Sequence, residues 1–204
     1  RMDIVVGATI GLVQTVAGHP LDTVKTLMQN GQHYRGLNLW QLYRGCAYPA
    51  AASIAFNAVA FPVFGRALDE NPYRAGFLAG LAVSPIEYGF GVGKIRRQTL
   101  AAGPLHLKGV TMSTLRTTGA MTVYFGIYSD TKDTVGALAA GGLAGFANWT
   151  LTYPFDVLAT RQIAEKMTIR HAWRSGPLWR GYLPCILRAV LVNSLSFKLY
   201  DLAQ

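Results

Sequence analysis

Three prolines keep a common register along this chain. Each is followed two residues later by an acid: Pro20 and Asp22 in "GHPLDTVKTLMQ", Pro85 and Glu87 in "SPIEYGFGVGK", Pro154 and Asp156 in "YPFDVLATRQ". The prolines lie 65 and 69 residues apart. One Pro-x-acid alone starts or ends many ordinary helices and says little. Other marks stay in phase with it. A glycine stands nine residues before each proline, at Gly11, Gly76 and Gly145, and four residues earlier come Gly7, Pro72 and Gly141. Downstream, each proline is answered by a bulky residue, a base and a glycine: "YRG" at 43–45, "LKG" at 107–109 and "WRG" at 179–181. Marks in phase across three copies describe a tandem repeat. The copies divide the chain into 1–68, 69–132 and 133–204, as parts of one integral membrane domain.

The membrane enters through what lies between the marks. Residues 4–23, 46–65, 75–93, 110–129, 134–153 and 182–197 are nearly uncharged. Each is close to the ~20 residues a helix needs to cross the hydrocarbon core. The whole chain of 204 residues is 51% hydrophobic and 14% charged, too small to hide six all-round apolar helices in a soluble core. The expected fold is therefore all-α, with six transmembrane helices in three two-helix repeats. Glycines nine and thirteen residues before the prolines would let helix backbones approach closely in lipid.

Charge marks the two sides. The connections 25–44, 94–108 and 161–180 carry net charges of +3, +4 and +4, whereas 66–74 and 130–133 carry 0 and −1. The positive-inside rule puts both termini on the face opposite the basic loops. The net charge of +9 thus marks topology, and no groove-reading or base-stacking motif points to nucleic acid. Cys46 and Cys185 are too few for a disulfide scaffold and read as small core residues. His19, His33, His106 and His171 sit singly near the basic side, without metal-ligand spacing, and read as helix-end or headgroup contacts. No secretory leader with a cleavage site and no catalytic constellation is recognisable.

The three copies resemble the mitochondrial carrier family, whose repeats carry P-x-[DE]-x-x-[KR] at the end of each odd helix and an aromatic-basic-glycine after a short matrix helix. The resemblance runs from Gly7 to the end. It implies a threefold pseudosymmetric six-helix bundle in the mitochondrial inner membrane, with termini toward the intermembrane space and a central cavity. It also implies that the prolines kink the odd helices and that acids and bases at the kinked ends pair to close the matrix side. Bound phospholipid such as cardiolipin would fit such a bundle.

The motif is incomplete here. All three acids stand, but of the three basic positions only Lys25 is filled; Phe90 and Ala159 occupy the others. One matrix-gate pair is expected, Lys25 with Asp156, leaving Asp22 and Glu87 to seek partners such as Lys94, Arg96 or Arg161. On the opposite side the family's [FY]-[DE]-x-x-[KR] aligns with "FGRAL" at 64–68, "YSDTK" at 128–132 and "YDLAQ" at 200–204, which leaves Lys132 and Asp201 as the cytoplasmic-side gate and Asp130 one step out of register. The matrix connections are short, with room for a turn or two of helix. Twelve residues before Phe64, Tyr128 and Tyr200 come Ala52, Arg116 and Arg188, which match the family's substrate contact points, and Arg116 is followed by Thr117 as in carriers of carboxylates. Buried arginines paired with the orphaned acids are the competing reading.

Losses spread over both gates and all three matrix connections favour a carrier fold without transport, serving as a structural or accessory subunit of a larger inner-membrane complex of the respiratory type. The alternative is an active exchanger of a small carboxylate or other anionic metabolite. A translocase component built from glycine-rich helices would not explain the proline register.

Overall fold

The computed structural model describes the backbone of residues 2–67, 71–102, 104 and 106–203, and side chains between 13 and 192 other than 14, 57, 58, 61, 62, 64–67, 137 and 138. Six long helices account for most of it: α1 Met2–Gln29, α3 Ala47–Ala67, α4 Pro72–Thr99, α5 Val110–Val135, α6 Ala137–Glu165 and α8 Tyr182–Ala203. Two short ones, α2 Leu39–Leu42 and α7 Ile169–Arg174, lie in the first and third basic connections. No strand occurs among the described residues. The 21 residues of α3, the shortest of the six, span about 32 Å at 1.5 Å per residue. Among the described residues α4 is both long and apolar enough to cross a membrane, and Tyr182–Val192 is a shorter apolar stretch.

The long helices close a ring. α3 packs on α4, α4 on α5, α5 on α6, and α8 returns to α1. The helices in the basic connections are as short as the spacing predicts: α2 has four residues, held by a capping box between Asn38 and Gln41, and α7 has six, capped by Thr168.

Pro20, Pro85 and Pro154 all lie inside their helices rather than ending them. A proline inside a helix frees the carbonyl one turn earlier. At Pro85 the Ser84 hydroxyl takes up part of that loss, donating to the Leu81 carbonyl at 3.0 Å.

The bulky-basic-glycine marks make three equivalent corners. Gly45, Gly109 and Gly181 have φ of 83°, 92° and 86°, a left-handed conformation that glycine adopts without steric cost. Each corner is tied to the odd helix of its own copy through the carbonyl of its base. The His19 ring Nε2 lies 3.1 Å from the Arg44 carbonyl, Tyr88 donates to Lys108 at 3.1 Å, and Tyr153 donates to Arg180 at 3.0 Å. Each glycine also presses on the next odd helix around the ring. A Cβ would fall 3.3 Å from the Lys94 carbonyl at Gly45, 3.1 Å from the Ala159 carbonyl at Gly109 and 3.0 Å from the Lys25 carbonyl at Gly181.

Several expectations need correction. Gly76 does sit on a neighbouring backbone, where a Cβ would come 2.6 Å from the Met121 carbonyl, and Gly80 packs beside it on α5. Gly145 faces open space, so it is no helix contact; Gly7 and Gly11 lie outside the described side chains. Pro72, in register with two glycines, begins α4 behind the N-cap Asn71, where its missing N–H costs no hydrogen bond. Cys185 is a core residue beside Tyr153 and Val157, but Cys46 is only half-buried. His19 is fully enclosed between α1 and the first corner instead of meeting headgroups. In the second basic connection, burial and the charges of Lys166, Arg96 and Lys108 push the His106 imidazole below its usual pKa.

Candidate functional site: a charged central cavity

The ring encloses a cavity of about 290 Å³ on the side of the basic connections. Three acids and four bases reach it from five helices: Asp22 and Lys25 from α1, Glu87 and Lys94 from α4, Arg116 from α5, Asp156 from α6 and Arg188 from α8. Charges at this depth are tolerated when they are paired or face a wet interior. Here they do both.

Lys25 Nζ meets Asp156 Oδ2 at 2.8 Å, the pair expected from the motif. Gln29, one turn beyond Lys25 on the same face of α1, donates to the same carboxylate oxygen at 2.7 Å. Trp149 lies under both neighbouring cations, with its ring centroid 4.8 Å from Lys25 Nζ and 5.1 Å from the Arg116 guanidinium carbon. Such contacts are stronger where water is scarce.

Lys25 with Asp156 is the one pair made within the motif, and Asp22 and Glu87 find partners outside it, Lys94 among them as expected. Asp22 is held by Lys94 at 2.9 Å and by Arg188 at 2.9 Å. Glu87 is held by Arg116 at 3.4 Å, and Arg116 Nε is also 3.8 Å from Asp156 Oδ1. The reason is geometric. Lys94 stands one helical turn after the vacant position at Phe90, so it projects from the same face of α4. Glu87 draws its cation from the adjacent helix, because an arginine side chain is long enough to cross between neighbours.

Of the other proposed partners, Arg161 goes elsewhere. It is buried, and its guanidinium donates to the carbonyls of Gln29, Ala172, Gly176 and Pro177 at 2.8 to 3.0 Å, tying the end of α1 to α6 and the α7 turn. Arg96 donates to the Pro104 carbonyl at 3.4 Å.

Ala52, Arg116 and Arg188 all line the cavity, so the three positions chosen by register do converge. Each arginine is also paired with an orphaned acid, so both readings of these residues describe the same side chains. A second pocket of about 350 Å³ adjoins the first and shares Pro49, Ala52, Glu87 and Arg116 with it. Thr117 lines this second pocket, with its hydroxyl buried and without a hydrogen bond among the described residues.

On the far side, Lys132 is exposed near the end of α5 and the side chain of Asp201 lies outside the described residues. Asp130 accepts from the Tyr73 hydroxyl at 2.6 Å, joining the start of α4 to α5. Gln29 and Trp149 were missing from the motif reading, which did name Lys94. The signal for Gln29 was available, since it follows the motif base Lys25 by four residues.

A ring of six long helices around a cavity lined by both signs of charge defines a carrier-type membrane bundle. A family profile described as "Mitochondrial carrier protein" matches residues 130–204. The mitochondrial basic amino acids transporter of Bos taurus is 28% identical over 91% of this chain and 78% of its own length. The mitochondrial arginine transporter BAC2 of Arabidopsis thaliana is 27% identical over 98% and 90%, and the mitochondrial magnesium exporter 1 of Drosophila melanogaster 28% identical over 91% and 87%. The chain is thus similar to mitochondrial carriers, with two of the three bases of the family's motif replaced. These relatives are named as transporters. They weigh toward the exchanger reading and lend no support to an accessory subunit of a respiratory complex.

Proposed function

We propose that this chain is a solute carrier of the mitochondrial inner membrane, exchanging a small amino acid that bears a carboxylate and a side-chain cation. The observation that carries the reading is the meeting of both charge signs in one cavity beside Arg116 and Thr117. An arginine fork suits a carboxylate because it can donate two parallel hydrogen bonds. Arg116 and Arg188 are the candidate anchors for that end, with Thr117 and the small side of Ala52 shaping the room around it. Glu87 and Asp156 would receive an ammonium or guanidinium group. The names of the relatives, basic amino acid and arginine transporters, agree with this chemistry.

Asp22, Lys25, Glu87 and Asp156 would act as the matrix gate, and Lys132 with Asp201 as the gate facing the intermembrane space, toward which both termini would point. Asp22, Glu87 and Asp156 each have a cationic partner, which speaks against loss of the gate on that side. The test is counter-exchange in liposomes loaded with L-arginine. Uptake of labelled L-arginine or L-lysine, without uptake of malate, is expected. No exchange of any of these, together with stoichiometric migration in a respiratory complex on native electrophoresis, would return the chain to a structural role.

A further inference from the structure

We infer that the substrate site and the matrix gate of this carrier share side chains: Arg116 supplies the gate cation where motif position 159 has none, and Arg188 joins Lys94 in covering the vacancy at position 90. The inference rests on the transport reading above and adds how binding opens the gate.

The motif bases that would face Asp22 and Glu87 are replaced by Phe90 and Ala159, both lining the cavity. Glu87 relies on Arg116 at 3.4 Å. Asp22 is shared between Arg188 and Lys94. Arg116 also lies 3.8 Å from Asp156, the acid that Lys25 holds. One guanidinium therefore connects a solute contact point to two of the three gate acids. The Arg116–Glu87 pair is the longer and wetter link, with side chains 22% and 30% exposed against 10% and 17% for Lys25 and Asp156. Both of its residues line both pockets, so a solute in either one can reach the pair.

A carboxylate that binds Arg116 takes the guanidinium from Glu87. A carboxylate left enclosed without its cation is strongly unfavourable. A solute with a cation of its own fills that vacancy and the exchange of partners is balanced. A plain dicarboxylate leaves Glu87 uncompensated. The same event draws Arg116 from Asp156, so binding itself loosens the gate and selects for solutes of mixed charge.

Two readouts test this: thermal unfolding of the purified carrier without solute, and L-arginine exchange in liposomes. Arg116→Gln is expected to lower the Tm by about 4 °C or more and abolish exchange. Ala159→Lys, which restores the motif base for Glu87, is expected to recover the Tm in the Arg116→Gln background without recovering exchange. Glu87→Gln in the same background should also recover the Tm, which guards against poor folding of the lysine variant. An unchanged Tm in Arg116→Gln would overturn the gate role. Exchange recovered in Arg116→Gln/Ala159→Lys would overturn the substrate role. If the wild-type carrier exchanges neither L-arginine nor L-lysine, the function reading fails by itself, and the melting pattern still decides whether Arg116 is a gate base.

Discussion

Asp22 Oδ2 accepts from Lys94 Nζ at 2.9 Å while its Oδ1 faces Arg188 Nε at 2.9 Å, so one carboxylate of α1 gathers α4 and α8. Asp22→Asn removes the charge that both cations need. Breaking a buried pair from one side costs about 3–5 kcal/mol, less here because Lys94 and Arg188 keep some contact with water. The expected result is a lower melting temperature, partly recovered by adding Lys94→Met. A melt unchanged by Asp22→Asn would mean that the two cations hold each other apart without it.

Lys25 and Asp156 give the charge-reversal test. Lys25→Asp and Asp156→Lys should each stop exchange, and the double variant should recover part of it, with a coupling of about 1–3 kcal/mol in a double-mutant cycle. Recovery will be incomplete because Gln29 and Trp149 are placed for the original orientation. A double variant as inactive as either single would remove this pair from the gate.

Close packing of α4 on α5 depends on Gly76 and Gly80. Gly76→Val is expected to cost at least about 2 kcal/mol, since overpacking a tight contact forces backbones apart. Gly145→Val, at a position with open space, should be near neutral. Thermal melts of the two variants side by side check the difference, and equal losses would contradict the packing.

Arg161 holds four carbonyls around the end of α1 and the α7 turn. Arg161→Lys keeps the charge but loses the planar fork, leaving carbonyls unpaired at about 1–3 kcal/mol. Faster hydrogen exchange in α7 and the residues after it is the expected signature. Unchanged exchange there would mean that the turn stands without the arginine.

The helices were legible because their cause is local. Apolar runs near 20 residues, the proline positions and the corner glycines are all properties of short windows, and one long helix covers most of each expected run, although the fifth, 134–153, begins in the last residues of α5. The convergence of Ala52, Arg116 and Arg188 was also legible, since register within each copy carries a residue to a fixed depth. Glycine packing was less so: Gly76 and Gly145 look alike in sequence, and only the neighbour opposite each one separates them.

By itself, then, the sequence determined the all-helical membrane fold, the proline register and the depth at which each charge lies, because periodicity and local backbone preference act within one helix. Which cation meets which acid was decided by the tertiary structure. Asp22 and Lys94 are 72 residues apart, and the motif positions that should have served Asp22 and Glu87 carry a phenylalanine and an alanine. Long lysine and arginine side chains from the next turn and the neighbouring helix fill those vacancies. That substitution depends on helices being side by side, which no spacing along one copy expresses.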